Sequence, residues 1–491
     1  MKSAYFREQQ RYTHKAIADT LKLSNEKSTG LIKRLKSYGI LKTVRATPKE
    51  NNLTELLNEE IEIADVDIDY KDIFYVFSFV GIVTVGDYVL KCYPKYIGKK
   101  ISPVYELKQI LKAIKKYNSK EQIINLYNGE SENTSFNLLS VILFLINDYN
   151  ENGIYSNHQD IIEVNGEGEI LWDKTINETF AIINNNTPFY TELQTQNSIE
   201  DESDYFRKLH QCILTECFNK IELAELSLLF DINTISLYDG DLMDFGDKDY
   251  ILYRLQRELN IQYITRKQIV LKTLYAYISH RKTFEEGIGI SLYGTNSFNL
   301  VWENVCAEVF GNMLNTSIVN LPLPIASSYI DRKDKTLSEL IEKPLWKPTI
   351  EGKSIIKHKA KKTLTPDLIS IYKVNNGYCF GIFDAKYYNI KLDEKKVCDQ
   401  PGVADITKQY LYQLAYQDFI TAHGYKFARN AFLFPDEGKE VKVVGEVEMS
   451  IFSNLNDSKL KNIDVIKLPA IRMYELYLNN KKLENIATEL K

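Results

Sequence analysis

Residues 364–388 read LTPDLISIYKVNNGYCFGIFDAKYY, and this stretch decides how the C-terminal half of the chain folds. Two runs rich in β-branched and aromatic residues, LISIYKV and YCFGIFDAKYY, flank Asn375-Asn376-Gly377, a turn signal that predicts a hairpin. Asp367 stands just before the first strand, and Asp384 and Lys386 lie on the second. Residues two apart on a strand share a face, so Asp384 and Lys386 point the same way, with Ala385 opposite. Phe380, Ile382 and Phe383 mark that strand as mostly buried. Strand interiors are poor in charge because burying an unpaired ion is expensive. Two carboxylates and an ammonium meeting at a buried strand end therefore point to a divalent cation. Mg²⁺ takes oxygen ligands, commonly one or two carboxylates with waters and a substrate phosphate. The plainer reading of the same residues is an edge hairpin with a solvated salt bridge.

Around that stretch, composition limits the function classes. A chain of 491 residues exceeds a single compact core, so two to four domains are expected. With 44% hydrophobic and 26% charged residues it reads as folded and soluble. No apolar run is long enough to span a bilayer, and MKSAYFREQQRYTH lacks the apolar core of a secretory signal. Six scattered cysteines without a CxxC pair fit a reducing cytoplasm and argue against both a disulfide framework and structural zinc. His210, Cys212 and Cys217 read as core and boundary residues of one helix rather than metal ligands. The net charge is −5, yet base collects at 7–45 and 343–362, and acid at 55–72 and 199–204. Local basic patches on an acidic chain fit confined phosphate contacts, or simply solvated loops, with other faces free for a protein partner.

Three regions follow. Residues 1–48 read as a winged-helix-like module: THKAIADTLKL, a break at Ser24-Asn25, then EKSTGLIKRLKSYGIL closed by Gly39, then a strand. Its second helix offers Lys27, Ser28, Thr29, Lys33 and Arg34 to DNA, although such helix pairs also serve as protein-interaction modules. Residues 49–244 form a mixed α/β middle region, opening on a strand pair that turns at Gly86-Asp87. Residues 245–491 read as an α/β core with a mixed sheet flanked by helices. The glycine-rich GEGE at 166–169 is not followed by Gly-Lys-Ser/Thr, and no Walker A loop occurs anywhere, so the chain does not look like an NTPase itself. The fold class is thus multidomain α+β and α/β.

Pro366-Asp367 followed by Asp384-Ala385-Lys386 resembles the PD-(D/E)xK nuclease motif. In that fold an acidic residue from the preceding helix joins the metal site. WENVCAEVF offers Glu303 and Glu308, with Glu303, beside Trp302, preferred. The following helix carries a Gln or Lys toward the scissile phosphate. DITKQYLYQ offers Lys408 and Gln409, with Gln413 one turn on, and the strict QxxxY pattern of RecB-like nucleases is absent. The set so implied is Asp367, Asp384, Lys386, Glu303 and Gln409, with Asp367, Asp384 and Glu303 as metal ligands.

VFSFVGIVTVGDYVLKCYPKY (76–96) is similar to the opening of McrC-type restriction subunits and their LlaJI-type relatives. GEGEILWDKTI, VWENVC and PGVADITKQYLYQ resemble the LlaJI family in the same order along the chain. This resemblance implies a restriction endonuclease subunit of an anti-phage system, type II/IV-like, that hydrolyses double-stranded DNA with Mg²⁺, Mn²⁺ being a substitute. It implies a separate McrB-like AAA+ GTPase whose ring engages the N-terminal part, and allows for a DNA methyltransferase in the same system. Three other readings stay open: a DNA-binding regulator, an NTPase scaffold with an inactive nuclease-like domain, and a transposase- or repair-type nuclease.

Overall fold

The computed structural model describes residues 2–45, 73–85, 88–98, 100, 102–118, 138–285, 290–347, 357–375, 377–394, 396–425, 427–453 and 460–490. The acidic run 55–72, the Gly86-Asp87 turn and the centre of the basic run 343–362 lie outside them. Two compact units are formed, one of residues 1–2, 84–89 and 135–292, the other of residues 3–83, 90–134 and 293–491.

The N-terminal part of the second unit begins with two strands ahead of the expected helix pair. They are β1 (Lys2–Arg7) and β2 (Arg11–Tyr12). Ala4 and Phe6 point inward along β1, the alternation of a half-buried strand. Helices α1 (His14–Leu21) and α2 (Asn25–Ser37) follow. Thr13 caps α1 by accepting from Ala16 N–H, Ser24 precedes α2, and Gly39 takes φ +66° just beyond it, as a C-terminal glycine does. Ile17, Leu21, Leu31, Ile32 and Leu35 are buried between them. A three-stranded sheet follows in which β4 (Ile73–Phe77) pairs with both β2 and β3 (Leu41–Arg45). This pairing joins residues on both sides of position 48 in one sheet.

The McrC-like stretch forms β5 (Val80–Val85) and β6 (Tyr88–Tyr93), followed by α3 (Val104–Asn118). The first unit holds α4 (Leu138–Asn152), β7 (His158–Val164), β8 (Glu169–Ile170), α5 (Trp172–Glu178), β9 (Ala181–Asn184), β10 (Thr187–Tyr190), β11 (Gln194–Glu200), α6 (Tyr205–Leu223), α7 (Lys248–Ile261) and α8 (Thr265–Glu285). Its helices are tied by Arg266, whose guanidinium holds Asp148 at 2.9 Å and Gly153 O at 2.9 Å. His210, Cys212 and Cys217 are buried on α6, as core residues. Helices α7 and α8 belong to this unit, so the region expected to begin at 245 starts its own sheet later.

Strand β12 (Ile290–Thr295) completes a sheet ordered β1-β6-β5-β12. Gly81 has φ +141°, and a Cβ there would overlap Tyr293 O and Gly294 Cα. Gly294 in turn leaves no room for a Cβ against Val80 O. The glycine of the FVGI run is thus required by the close approach of two strands.

The C-terminal part comprises α9 (Phe298–Val309), the short ribbon β13 (Leu345–Trp346) and β14 (His358–Lys359), β15 (Leu368–Val374), β16 (Gly377–Ala385), the hairpin β17 (Lys391–Asp393) and β18 (Lys396–Cys398), α10 (Val403–Ala422), β19 (Phe427–Asp436), β20 (Lys442–Val447), β21 (Ile463–Pro469) and α11 (Ala470–Leu478). Its five-stranded sheet is mixed and ordered β15-β16-β19-β21-β20. β16 pairs antiparallel with β15 and parallel with β19, and α10 makes the crossover between β16 and β19. Ile369, Ile371, Phe380 and Ile382 pack against Tyr412, Tyr416 and Phe419 of α10. On the other face Phe383 packs on Phe310, which follows α9, at 5.3 Å between ring centroids.

Substituting Gly81 by Ala should cost at least about 2 kcal/mol, because both the backbone conformation and the strand contact forbid a side chain. Urea unfolding of the variant beside the parent chain measures it, and an unchanged midpoint would contradict the strand contact described.

Candidate active site

The site is built where β15 begins and β16 ends. Leu368 pairs with Phe383, so the next step outward sets Asp367 opposite Asp384. Asp367 is fixed at both ends of the residue. Its Oδ2 accepts from Ala385 N–H at 3.0 Å, and its carbonyl accepts from Asn312 Nδ2 at 3.2 Å. Asn312 Oδ1 also accepts from Ile369 N–H at 3.1 Å, locking the start of the strand. Along β16, Phe380 and Ile382 face α10, and the period of two puts Asp384 and Lys386 on that same face. Asp384 is 5% exposed.

Lys386 Nζ donates to Asp384 Oδ2 at 2.9 Å and to Asp405 Oδ1 at 3.2 Å. Its backbone N–H donates to Leu433 O at 2.9 Å, and Trp302 Nε1 donates to the same carbonyl at 3.1 Å. That shared carbonyl ties α9 and the strand end together, and it places Glu303, the residue after Trp302, beside the cluster. Asn299 Nδ2 reaches Glu303 Oε1 at 3.5 Å. Glu308 is turned elsewhere, exposed and paired with Lys116 at 2.9 Å. Of the two glutamates expected to compete, Glu303 is the one whose charge is felt by Asp367.

The electrostatics record crowding. Burial, then the neighbouring Asp384, then Glu303, raise the Asp367 carboxyl far above the usual carboxylate range, against Lys386. Burial also raises Glu303, with Asp384 adding to it and Asn299 and Lys386 opposing it. Burial alone would lower the Lys386 ammonium, but Asp384, Asp405 and Asp367 outweigh that and raise it. Burial, Asp384 and Asp367 together push Tyr412 up to about 12. Its hydroxyl donates to Thr365 O at 2.9 Å and holds the approach to Asp367.

Three residues offered by the sequence stand differently. Gln409 is fully buried, its Nε2 donating to Ile382 O at 3.1 Å and to Asn430 Oδ1 at 2.7 Å. It therefore joins α10 to the strands beneath rather than extending toward a phosphate. Gln413 is buried in the same network, accepting from Asn430 Nδ2 at 3.1 Å. The polar residue that α10 does bring to the cluster is Asp405, one turn earlier, in the first turn of the helix. In the N-terminal module Lys27, Thr29, Lys33 and Arg34 are exposed on α2. Ser28, expected beside them, is fully buried, its hydroxyl engaged with His14 Nε2 at 3.1 Å and Asn25 O at 2.9 Å.

Among the described residues no three or more His, Cys, Asp or Glu side chains form a ready-made metal cage. What meets is a carboxylate pair with a third carboxylate within electrostatic range. That donor set fits a hard cation such as Mg²⁺, which is commonly held by one or two carboxylates and completes its shell with water and substrate phosphate. Behind the cluster Tyr387 is buried, and its hydroxyl donates to Glu8. Lys95 N–H donates to Glu8 Oε2 at 3.2 Å and to the Tyr387 hydroxyl at 3.3 Å.

Residues 79–474 match the family model described as LlaJI restriction endonuclease. The chain belongs to that family, and so to the nuclease components of restriction systems. It is 29% identical over 417 residues to the type II restriction enzyme BsuMI component YdjA of Bacillus subtilis strain 168, covering 83% of this chain and 81% of that protein. A solved Thermococcus gammatolerans half-complex of McrB AAA+ hexamers with bound McrC contains a similar chain. The two are 14% identical with a TM-score of 0.36, and 97% of this chain and 99% of that one are covered. A chain of the McrBC complex from the same organism is 15% identical with a TM-score of 0.21, over 56% of this chain and 79% of that one.

The raised Asp367 carboxyl has a consequence for stability. A folded-state pKa above the unfolded value means the folded protein binds the extra proton, so stability falls as pH rises from the ordinary carboxylate range through the folded value. In metal-free protein, Asp367→Asn should raise the thermal midpoint at pH 7–8 by about 2–4 °C, the shift that roughly 1 kcal/mol makes in a domain of this size. The gain should vanish near pH 4, where the wild-type carboxyl is also protonated. Melting curves in EDTA across that range decide it, and a variant that melts lower at pH 8 would refute the crowding.

Proposed function

We propose that this chain is the Mg²⁺-dependent endonuclease subunit of a restriction system, with a PD-(D/E)xK core in residues 293–491, hydrolysing phosphodiester bonds of double-stranded DNA. The observation that carries the reading is the Lys386 ammonium held 2.9 Å from Asp384, with Asp367 on the adjoining strand. Asp367 and Asp384 would hold the cation, with Glu303 completing the acidic side. Once bound, the cation would lower the pKa of a coordinated water and neutralise charge on the leaving oxygen.

The chain's own residues do the remainder. Lys386 Nζ, projecting on the same face as Asp384, orients the attacking water and stabilises negative charge gathering on the phosphate. Asp405 holds that ammonium from the far side, so its direction does not depend on Asp384 alone. Asn312 and Ala385 N–H keep Asp367 at its place on the strand, and Trp302 keeps α9 seated against the strand end.

The exposed Lys27, Lys33 and Arg34 of α2, with the Thr29 hydroxyl beside them, fit phosphate contacts by the N-terminal residues. A McrB-like AAA+ GTPase acts as partner through the N-terminal regions. Support comes from family membership, from the McrC-like run at 76–96, and from a sequence without any phosphate-binding loop of its own. The Bacillus relative is likewise described as a component of its enzyme. Among the described residues no helix is long and apolar enough to cross a membrane, which suits action in the cytoplasm beside DNA.

The test is cleavage of modified and unmodified plasmid DNA in Mg²⁺, with and without the partner NTPase and nucleotide. Lys386→Ala and Asp384→Ala should each slow cleavage by about a thousandfold or more while changing DNA affinity little. Cleavage by Asp384→Ala at near wild-type rate would overturn the site. Separately, Mg²⁺ should raise the thermal midpoint of the wild type and leave that of Asp367→Asn in place, a readout independent of activity.

A further inference from the structure

The ribbon β13–β14 takes no part in the cluster of carboxylates. Its cross-strand partners are Leu345 with Lys359 and Trp346 with His358. Directly opposed residues share a face, so each face of the ribbon carries one large apolar side chain and one basic one. Trp346 is 70% exposed and Leu345 47%. Around them Lys343, Lys347, Lys357, Lys359, Lys361 and Lys362 are all exposed. Among the described residues none of these lysines is ion-paired with a carboxylate. Across the whole run 343–362 there is a single acid, Glu351.

Exposed tryptophan and concentrated, unneutralised charge are both unfavourable on a surface that faces only water. They are what a two-stranded ribbon needs to enter a DNA groove, where lysines meet phosphates and an aromatic or apolar side chain meets bases. We infer that the β13–β14 ribbon is a DNA-contacting arm that grips the substrate duplex close to the scissile phosphate. This rests on the nuclease reading of the Asp367–Asp384–Lys386 cluster.

The placement follows from how the arm is rooted. Ala360 N–H donates to Pro344 O at 2.8 Å, and Thr363 Oγ1 donates to Glu342 O at 2.8 Å, closing the ribbon at its base. Leu364 packs into the core under α10, and Thr365 O accepts from Tyr412 of that helix at 2.9 Å. Lys362 is five residues before Asp367, and a fully extended chain of that length reaches at most about 18 Å. Duplex DNA carries one charge per about 1.7 Å of axis, so about ten phosphates lie within that reach of a scissile phosphate at the carboxylates. Lys362 therefore lies no farther from Asp367 than the span of those phosphates along the duplex.

The experiment measures binding of a fluorescent duplex to the full-length protein in EDTA, where cleavage is blocked, over a series of KCl concentrations. The proteins are the wild type, the quadruple variant Lys357→Gln/Lys359→Gln/Lys361→Gln/Lys362→Gln, and Trp346→Ala. The quadruple variant should bind at least tenfold more weakly at about 100 mM salt. Its plot of log affinity against log salt should be shallower by two or more, since each lost phosphate contact removes about 0.9 from the slope. Trp346→Ala should weaken binding with the slope retained. Its result is separate evidence if the charge variant proves unstable by its melting curve. Unchanged affinity and slope in both variants, with wild-type binding intact, would overturn the arm and leave the nuclease reading standing. That result would turn the exposed tryptophan and lysines toward a protein partner. No duplex binding by the wild type even at low salt would overturn both.

Discussion

One ammonium, shared between the carboxylates of Asp384 and Asp405 at 2.9 and 3.2 Å, sets the conditions that the C-terminal half has to meet. Lys386 is one residue past a strand that is buried along most of its length and ends at Ala385, and Asp405 is on a helix that begins 18 residues later, at Val403. The two meet because β16, α10 and β19 form a parallel crossover. In such a unit the chain leaves the carboxyl end of the first strand and enters the crossover helix nearby, so the first turn of the helix belongs to the same end of the sheet. An acidic residue in that turn is also where the helix favours negative charge. Site and topology are therefore one constraint: a βαβ unit whose first strand ends in Asp-Ala-Lys brings the opening turn of its helix to the lysine.

This explains which parts of the site were legible in the sequence. The hairpin was, because the alternation of LISIYKV and YCFGIFD and the turn at Asn375-Asn376-Gly377 fix the register locally, and register alone sets Asp367 across from Asp384. The choice between Glu303 and Glu308 rests on something the sequence does not show, the seating of α9 by Trp302 on Leu433 O and the presence of Lys116 to take Glu308. Gln409 was read toward the phosphate from a family pattern that the chain does not strictly follow. In the structure its amide nitrogen donates to Ile382 O and Asn430 Oδ1 beneath the helix, while its Oε1 is buried without a hydrogen-bond partner. Asp405, four residues earlier on the same helix, had the same composition signal and no pattern to point to it.

The fold shows the same division. Helix ends at Thr13, Ser24 and Gly39 follow local capping chemistry and could be read residue by residue. β1 was missed because it is short and its partner, β6, lies far along the chain, so nothing local distinguished KSAYFR from the start of a helix. The signal was nevertheless present: Ala4, Phe6 and Glu8 alternate inward, and the third of them is a carboxylate.

That carboxylate gives the N-terminal strand its bearing on the site. A buried glutamate is tolerated only when it is hydrogen-bonded, and Glu8 takes the Tyr387 hydroxyl and Lys95 N–H. Burial raises its carboxyl, with Lys95 and Tyr387 acting against that. Tyr387 follows Lys386 directly, and Lys95 closes the CYPK end of the run by which the chain resembles McrC-type subunits. Lys95 is itself held by Arg7, whose guanidinium donates to its carbonyl, and its ammonium reaches Gln9 Oε1 at 3.0 Å. The glycine at the start of that run is needed where two strands touch, and the lysine at its end is needed where three segments meet behind the end of β16. A run that looks, in sequence, like the mark of a separate N-terminal region is thus bonded to Tyr387, the residue next to Lys386. Removing either the strand or the run would leave Glu8, Lys95 or Tyr387 buried without its partner, at a cost of roughly 1–3 kcal/mol for each group so stranded.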